Sequence, residues 1–103
     1  MQSSKTGHSV VERLLSSDVK AQLLVLFRRN PGLIDDVEGI ARRVGRKSAS
    51  IEADLKELAE IGVVEERRVG STAVFSLNGK RDAEVQREVG IFVMKSQGLT
   101  TLQ

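Results

Sequence analysis

Apolar residues recur along this chain with two different periods, and the change of period marks out its elements. From residue 10, VVERLL reads as a short helix, and Ser16, Ser17 and Asp18 then offer caps for a new one. In that second helix Val19, Leu23, Leu26 and Phe27 repeat at helical spacing, with Leu24 and Val25 widening the stripe, until Asn30-Pro31-Gly32 stops it. Asp35, with Glu38 three residues on, predicts the capped start of another helix, whose buried stripe is Val37, Ile40, Ala41 and Val44. Gly45 ends that helix at a position favouring positive φ. A further helix begins near Lys47 or Ser48, buries Ile51, Leu55 and Leu58 with Ala59 beside them, and stops at Gly62. VVEERRVGSTAVFSLN then predicts a hairpin turning at Gly70-Ser71. A last helix over residues 80–96 carries Val85, Val89 and Phe92 on one face, while Ile91 and Met94 point elsewhere.

This order predicts an α+β domain, mostly α, with one layer of helices and a hairpin at its edge. The expected division is a polar, disordered tail over 1–9, a folded unit over 10–79, a C-terminal helix over 80–97 and a loose tail over 98–103. A length of 103 residues suits one domain with one modest core, and 40% hydrophobic with 29% charged residues excludes a chain disordered throughout.

Composition also excludes several function classes. The longest apolar run is too short to span a membrane, and the N-terminus MQSSKTGHSV lacks the apolar core of a signal peptide, so the cytoplasm is the expected location. With no cysteine there is neither a disulfide framework nor a thiolate metal site. His8 is the sole imidazole, so no Ser-His-Asp or Cys-His set can be assembled, and no cluster has metal-ligand spacing. No glycine-rich loop opens a helix within a βαβ unit. The expectation is a non-enzymatic protein with no cofactor and no metal.

The stretch Ile40 to Val64, IARRVGRKSASIEADLKELAEIGVV, points to a binding function. Two apolar helical patterns meet at a single glycine. A tight turn favours Gly45, a close crossing favours Ala41, and Ile40, Val44, Ile51 and Leu55 lock the pair together. The second helix is then a braced rod of the kind that a DNA major groove is wide enough to admit. Helical geometry puts Ala49, Glu52, Ala53, Lys56 and Glu60 opposite the core face. Net charge is only +2, but Arg42, Arg43, Arg46 and Lys47 fall within six residues. Ser48 and Ser50 lie near the helix N-terminus, where hydroxyls and backbone N–H groups can hold a phosphate. The only aromatics are three Phe, which gives single-stranded nucleic acid almost nothing to stack on.

The segment from about Ser16 to Leu77, about three-fifths of the chain, resembles a winged helix-turn-helix of the prokaryotic ArsR/MarR-like kind. The matching residues are Ile40-Ala41-Arg42-Arg43-Val44-Gly45, then Ile51, then Leu55-Lys56-Glu57-Leu58, then Ile61-Gly62-Val63-Val64, with LLSSDVKAQLLVLFRRNPG over 14–32 similar to the preceding helix. The resemblance implies a three-helix core, a recognition helix over 47–61 and a wing over 65–75. It implies a transcriptional regulator whose partner is double-stranded DNA. Ser48, Ala49, Ser50, Glu52, Ala53 and Lys56 would face the groove, and Arg42, Arg43, Arg46, Lys47, Arg67 and Arg68 would hold phosphates.

Alternatives stay open on particular residues. Two alanines and the acidic Glu52 give the exposed face little base readout, which also suits a protein-interaction module within a larger assembly. Arg42 and Arg43 could pair with Asp36, Glu38 or Glu52, and Arg67 and Arg68 with Glu65 or Glu66, as ordinary surface ion pairs. Surplus apolar surface on the last helix predicts a homodimer through Val85, Val89, Ile91, Phe92 and Met94, aided by residues 10–15.

Overall fold

The structure is a computed structural model that describes residue 10, residues 12–14 and residues 16–96. Residues 12–14 are helical; the tails assigned to 1–9 and 98–103 lie outside the described residues. The chain then builds α1 (Asp18–Arg29), β1 (Ile34–Asp36), α2 (Val37–Val44), α3 (Ser48–Ile61), β2 (Val64–Val69), β3 (Thr72–Leu77) and α4 (Gly79–Ser96).

Local chemistry sets most of these boundaries. Ser17 caps α1, its hydroxyl accepting from the Lys20 N–H at 3.2 Å. Gly45 closes α2 with φ 71°, the left-handed conformation that a side chain resists, and so makes the short turn into α3. Lys47 precedes α3, and no side chain caps that helix.

Asp35 does not open a helix. Residues 34–36 form a short strand, with Ile34 opposite Ser76, Asp35 opposite Phe75 and Asp36 opposite Val74. The cap passes one residue on: the Asp36 carboxylate accepts from the Gly39 N–H at 2.9 Å. Glu38 is therefore out of step for a capping box, whose third helical position falls on Gly39. The Asp35 carboxylate instead accepts from the Asp36 N–H at 2.8 Å and lies where a Cβ on Gly39 would stand, so a larger residue there would have to displace that carboxylate.

The added strand turns the predicted hairpin into a three-stranded antiparallel sheet of order β1-β3-β2. Val69 opposite Thr72 leaves Gly70-Ser71 alone in the turn, with Gly70 at φ 64°. Helices and sheet close on one core. Phe27 from α1, Ile40 from α2, Ile51, Leu55 and Leu58 from α3 and Phe75 from β3 are fully buried.

Two charged residues enter this interior. Lys20 and Asp82 are each only 3% exposed, and both are paired. Asp82, on α4, accepts from Arg28 of α1 at 2.8 Å and 3.0 Å and from Gln86 at 2.8 Å. With Val85, fully buried, it fixes the first half of α4 to the domain. Val85, expected at a dimer interface, therefore serves the core of the domain itself and is not available to a second copy. Val10, Leu14 and Val89 also pack into or against that core. Ile91 and Met94 are 51% and 45% exposed. Among the described residues no helix is long and apolar enough to cross a membrane.

Candidate nucleic-acid interface

The helix that would be presented to DNA is α3, the longest of the three that make the core trihelical unit with α1 and α2. Its apolar stripe is consumed by the core. Ala49, Ser50, Glu52, Ala53 and Lys56 are exposed, and Ser48 is half-buried. The wing stands beside it: Glu52 and Lys56 of α3 line one open groove with Arg68 and Thr72 of the hairpin and Asp36 and Glu38 at the start of α2.

The cations fall into distinct environments. Arg43 pairs with Asp35 at 3.4 Å and lines a separate groove between α1 and α2, so it stands apart from the α3–wing groove. Its partner is neither Asp36, Glu38 nor Glu52. Arg46 turns toward α1, where its Nε donates to the Gln22 side-chain oxygen. That acceptor is a neutral amide, so the guanidinium charge is not cancelled. Arg68 donates to the Ser71 carbonyl at 2.9 Å, which steadies the wing turn and likewise leaves the charge in place. Among the described residues Arg42, Lys47 and Arg67 have no acidic partner, and all three are exposed. The arginines of the wing do not pair with Glu65 or Glu66; Glu66 is engaged by Lys56 at 3.0 Å.

Sequence reasoning missed a charged cluster behind α3. Asp54, Glu57 and Glu60 follow one another down one flank of this helix. Lys20, at the N-terminal end of the buried stripe of α1, bonds Glu57 and the Arg13 carbonyl, the latter at 3.1 Å, and lies 3.7 Å from Asp54. Arg13 adds bonds to Glu57 at 3.0 Å and Glu60 at 3.2 Å. The signal was present in the spacing: Lys20, Leu23, Leu24 and Phe27 form one helical stripe, so a lysine there must be buried and must find a carboxylate. Gln22, which holds Arg46, and Glu66, which holds Lys56, had no such signal.

The cluster makes stability depend on acid pH. The hydrogen bond from Lys20 holds the Glu57 carboxyl below its ordinary value of 4.5; burial opposes this, and the Arg13 hydrogen bond and both positive charges reinforce it. A carboxyl depressed in the folded state stabilises the fold fully above the unfolded value and loses that contribution as pH falls through the folded one. The thermal midpoint is therefore expected to fall below about pH 4.5, and to fall less steeply in Glu57→Gln than in the parent. Parallel acid profiles for the two proteins, read by melting across pH, would show that Glu57 is not responsible.

No protein-family model matches the chain, and no curated protein does. Solved structures do. The AntR antimony-specific transcriptional repressor is similar at 21% identity and a TM-score of 0.61, over 93% of this chain and 86% of that one. A 1–100 fragment from Mycobacterium bovis, a possible transcriptional regulatory protein, is similar at 24% identity and a TM-score of 0.63, over 88% of this chain and 91% of its own. The solution structure of the Mycobacterium bovis 1–100 fragment, described as the homodimeric winged helix-turn-helix DNA-binding domain of a possible ArsR-family regulator, is 23% identical with a TM-score of 0.60, over 94% of this chain and 84% of its own. At such identities the likeness establishes the fold. With the element order, the tight turn at Gly45 and the hairpin beside α3, it shows that the chain folds as a winged helix-turn-helix domain, similar in architecture to ArsR-family transcriptional regulators.

Proposed function

We propose that this chain is a transcriptional regulator that binds duplex DNA as a homodimer, with α3 in the major groove and the wing on the adjacent backbone or minor groove. One observation carries the reading: α3 presents a small, exposed face, Ala49, Ser50, Glu52 and Ala53, bordered by Arg42, Arg46, Lys47, Arg67 and Arg68, none of which is neutralised by an acid among the described residues. Small side chains let a helix approach base edges closely, and uncancelled cations supply the phosphate contacts that dominate affinity. The solved neighbours support the role, being a transcriptional repressor and a DNA-binding domain. Regulation of transcription implies action where the DNA is, in the cytoplasm. The antimony specificity in the name of AntR is said of that protein alone; this chain has no cysteine.

Homodimerisation is supported by α4, whose second half carries exposed Ile91, Val93 and Met94, and by the homodimeric state of the Mycobacterium bovis domain. Sedimentation at micromolar concentration should give a dimer; a monomer removes this part of the reading.

A second reading rests on charge. Glu52, exposed on α3 and in no ion pair among the described residues, together with the alanines beside it, suits contact with a basic protein surface. Titration of fluorescently labelled random duplex across salt concentrations separates the two. Five uncancelled cations per protomer, ten in the homodimer, predict a log-affinity slope in log salt of up to about −9, at about −0.9 per phosphate. Absence of binding even at low salt favours the protein partner.

A further inference from the structure

Lys56 is the sole basic residue of α3, and its side chain, 46% exposed, is engaged in a surface ion pair. Its Nζ bonds the Glu66 carboxylate at 3.0 Å. Glu66 lies on β2, two residues beyond the buried Val64, and period-two alternation puts it on the same face of the strand, the face that looks toward α3. The clasp therefore joins the wing to the helix and consumes the one charge by which α3 itself could attract DNA. Asp54, Glu57 and Glu60, the other charged groups along α3 toward its C-terminus, are occupied with Lys20 and Arg13 and do not compete for Lys56.

We propose that Glu66 is a specificity-determining residue that suppresses sequence-independent DNA binding by holding Lys56 away from phosphate. The proposal rests on the DNA-binding reading above. A lysine that swings freely onto any phosphate adds affinity for every sequence alike, because phosphate contacts carry no base information. A lysine restrained by a carboxylate is released only when a contact better than Glu66 is offered, such as a guanine O6/N7 pair correctly placed opposite α3. Glu66 thereby lowers binding to random duplex more than binding to a matched site. As it touches the helix and not the DNA, it acts as a positioning residue.

The test compares Glu66→Gln, Lys56→Met and the double variant with the parent, each titrated with labelled random duplex across salt. Glu66→Gln is expected to bind more tightly at low salt and to steepen the log–log slope by about 1.8, the signature of one added phosphate contact in each protomer of the homodimer. Over a rise from about 50 to about 200 mM salt that is an extra affinity loss of about 12-fold. In the Lys56→Met background the same Glu66→Gln change should leave the slope unaltered. An unchanged slope in Glu66→Gln alone overturns the proposal. So does equal steepening with and without Lys56, which would trace the effect to the charge of Glu66 itself. Failure of the parent to bind duplex at any salt is a different result: it removes the DNA reading, and the proposal with it.

Discussion

Reversing two charges at the turn, Arg46→Glu with Lys47→Glu, is expected to abolish duplex binding while leaving the fold intact. Both residues stand in the turn between α2 and α3, at the N-terminal end of the helix that would enter the groove. Neither is neutralised by an acid among the described residues: Arg46 rests on the neutral Gln22 amide, and Lys47 has no ion-pair partner. Loss of two phosphate contacts costs on the order of a decade in affinity each, and two new carboxylates against the phosphates add repulsion, so the drop is roughly a hundredfold or more. The salt slope should shrink by about 1.8 for each protomer, about 3.6 for the homodimer. Stability moves the other way. No side chain caps α3, and acids at a helix N-terminus are favourable by about 0.3–1 kcal/mol, so the variant should melt no lower than the parent. A well-folded protein that no longer binds would place the phosphate contacts at this turn. Retention of binding by a well-folded variant would show that Arg46 and Lys47 are not the contacts.

The reach of the sequence follows from what each element needs. α3 was legible because its stripe spans nearly three turns and ends in a glycine whose φ of 98° a side chain resists. The hairpin was legible because β-branched residues flank a Gly-Ser turn. β1 was not: three residues give no measurable period, and its stability comes from pairing with β3, some forty residues away in sequence. That hidden pairing is also why the cap moved from Asp35 to Asp36, since either aspartate satisfies the local rule. For the candidate site, composition and helical geometry found the exposed residues of α3 and the cations around them. They could not say which cations are cancelled. Whether Arg68 meets Glu65 or the Ser71 carbonyl, and whether Glu66 meets Arg67 or Lys56, depends on how strand and helix are juxtaposed in space. A surface ion pair is worth only about 0–1 kcal/mol, too little to leave a pattern in the sequence that could be read without the fold.

Arg28→Ala is expected to destabilise the domain by about 3 kcal/mol and to unseat α4. The Asp82 carboxylate is buried, and three hydrogen bonds from the Arg28 guanidinium, at 2.8, 3.0 and 3.2 Å, satisfy most of its capacity. Truncating Arg28 leaves that charge with Gln86 alone. Breaking a buried pair from one side costs about 3–5 kcal/mol, and the low end applies because the Arg28 side chain is 35% exposed and its guanidinium is partly solvated already. For a domain of this size that lowers the melting midpoint by more than about 10 °C. Asp82→Asn added to Arg28→Ala removes the stranded charge and should restore part of the loss, which a simple packing defect would not allow. Melting curves of the three proteins decide the point; a single variant that melts with the parent would show that Val85 packing, and not this pair, holds α4. The consequence reaches function through geometry. If the exposed Ile91 and Met94 on α4 meet a second copy, an unseated α4 weakens the dimer, and duplex affinity falls although every residue facing the DNA is unchanged. The binding lost in Arg28→Ala should then return at protein concentrations high enough to repopulate the dimer, whereas the binding lost in Arg46→Glu with Lys47→Glu should not return at any concentration.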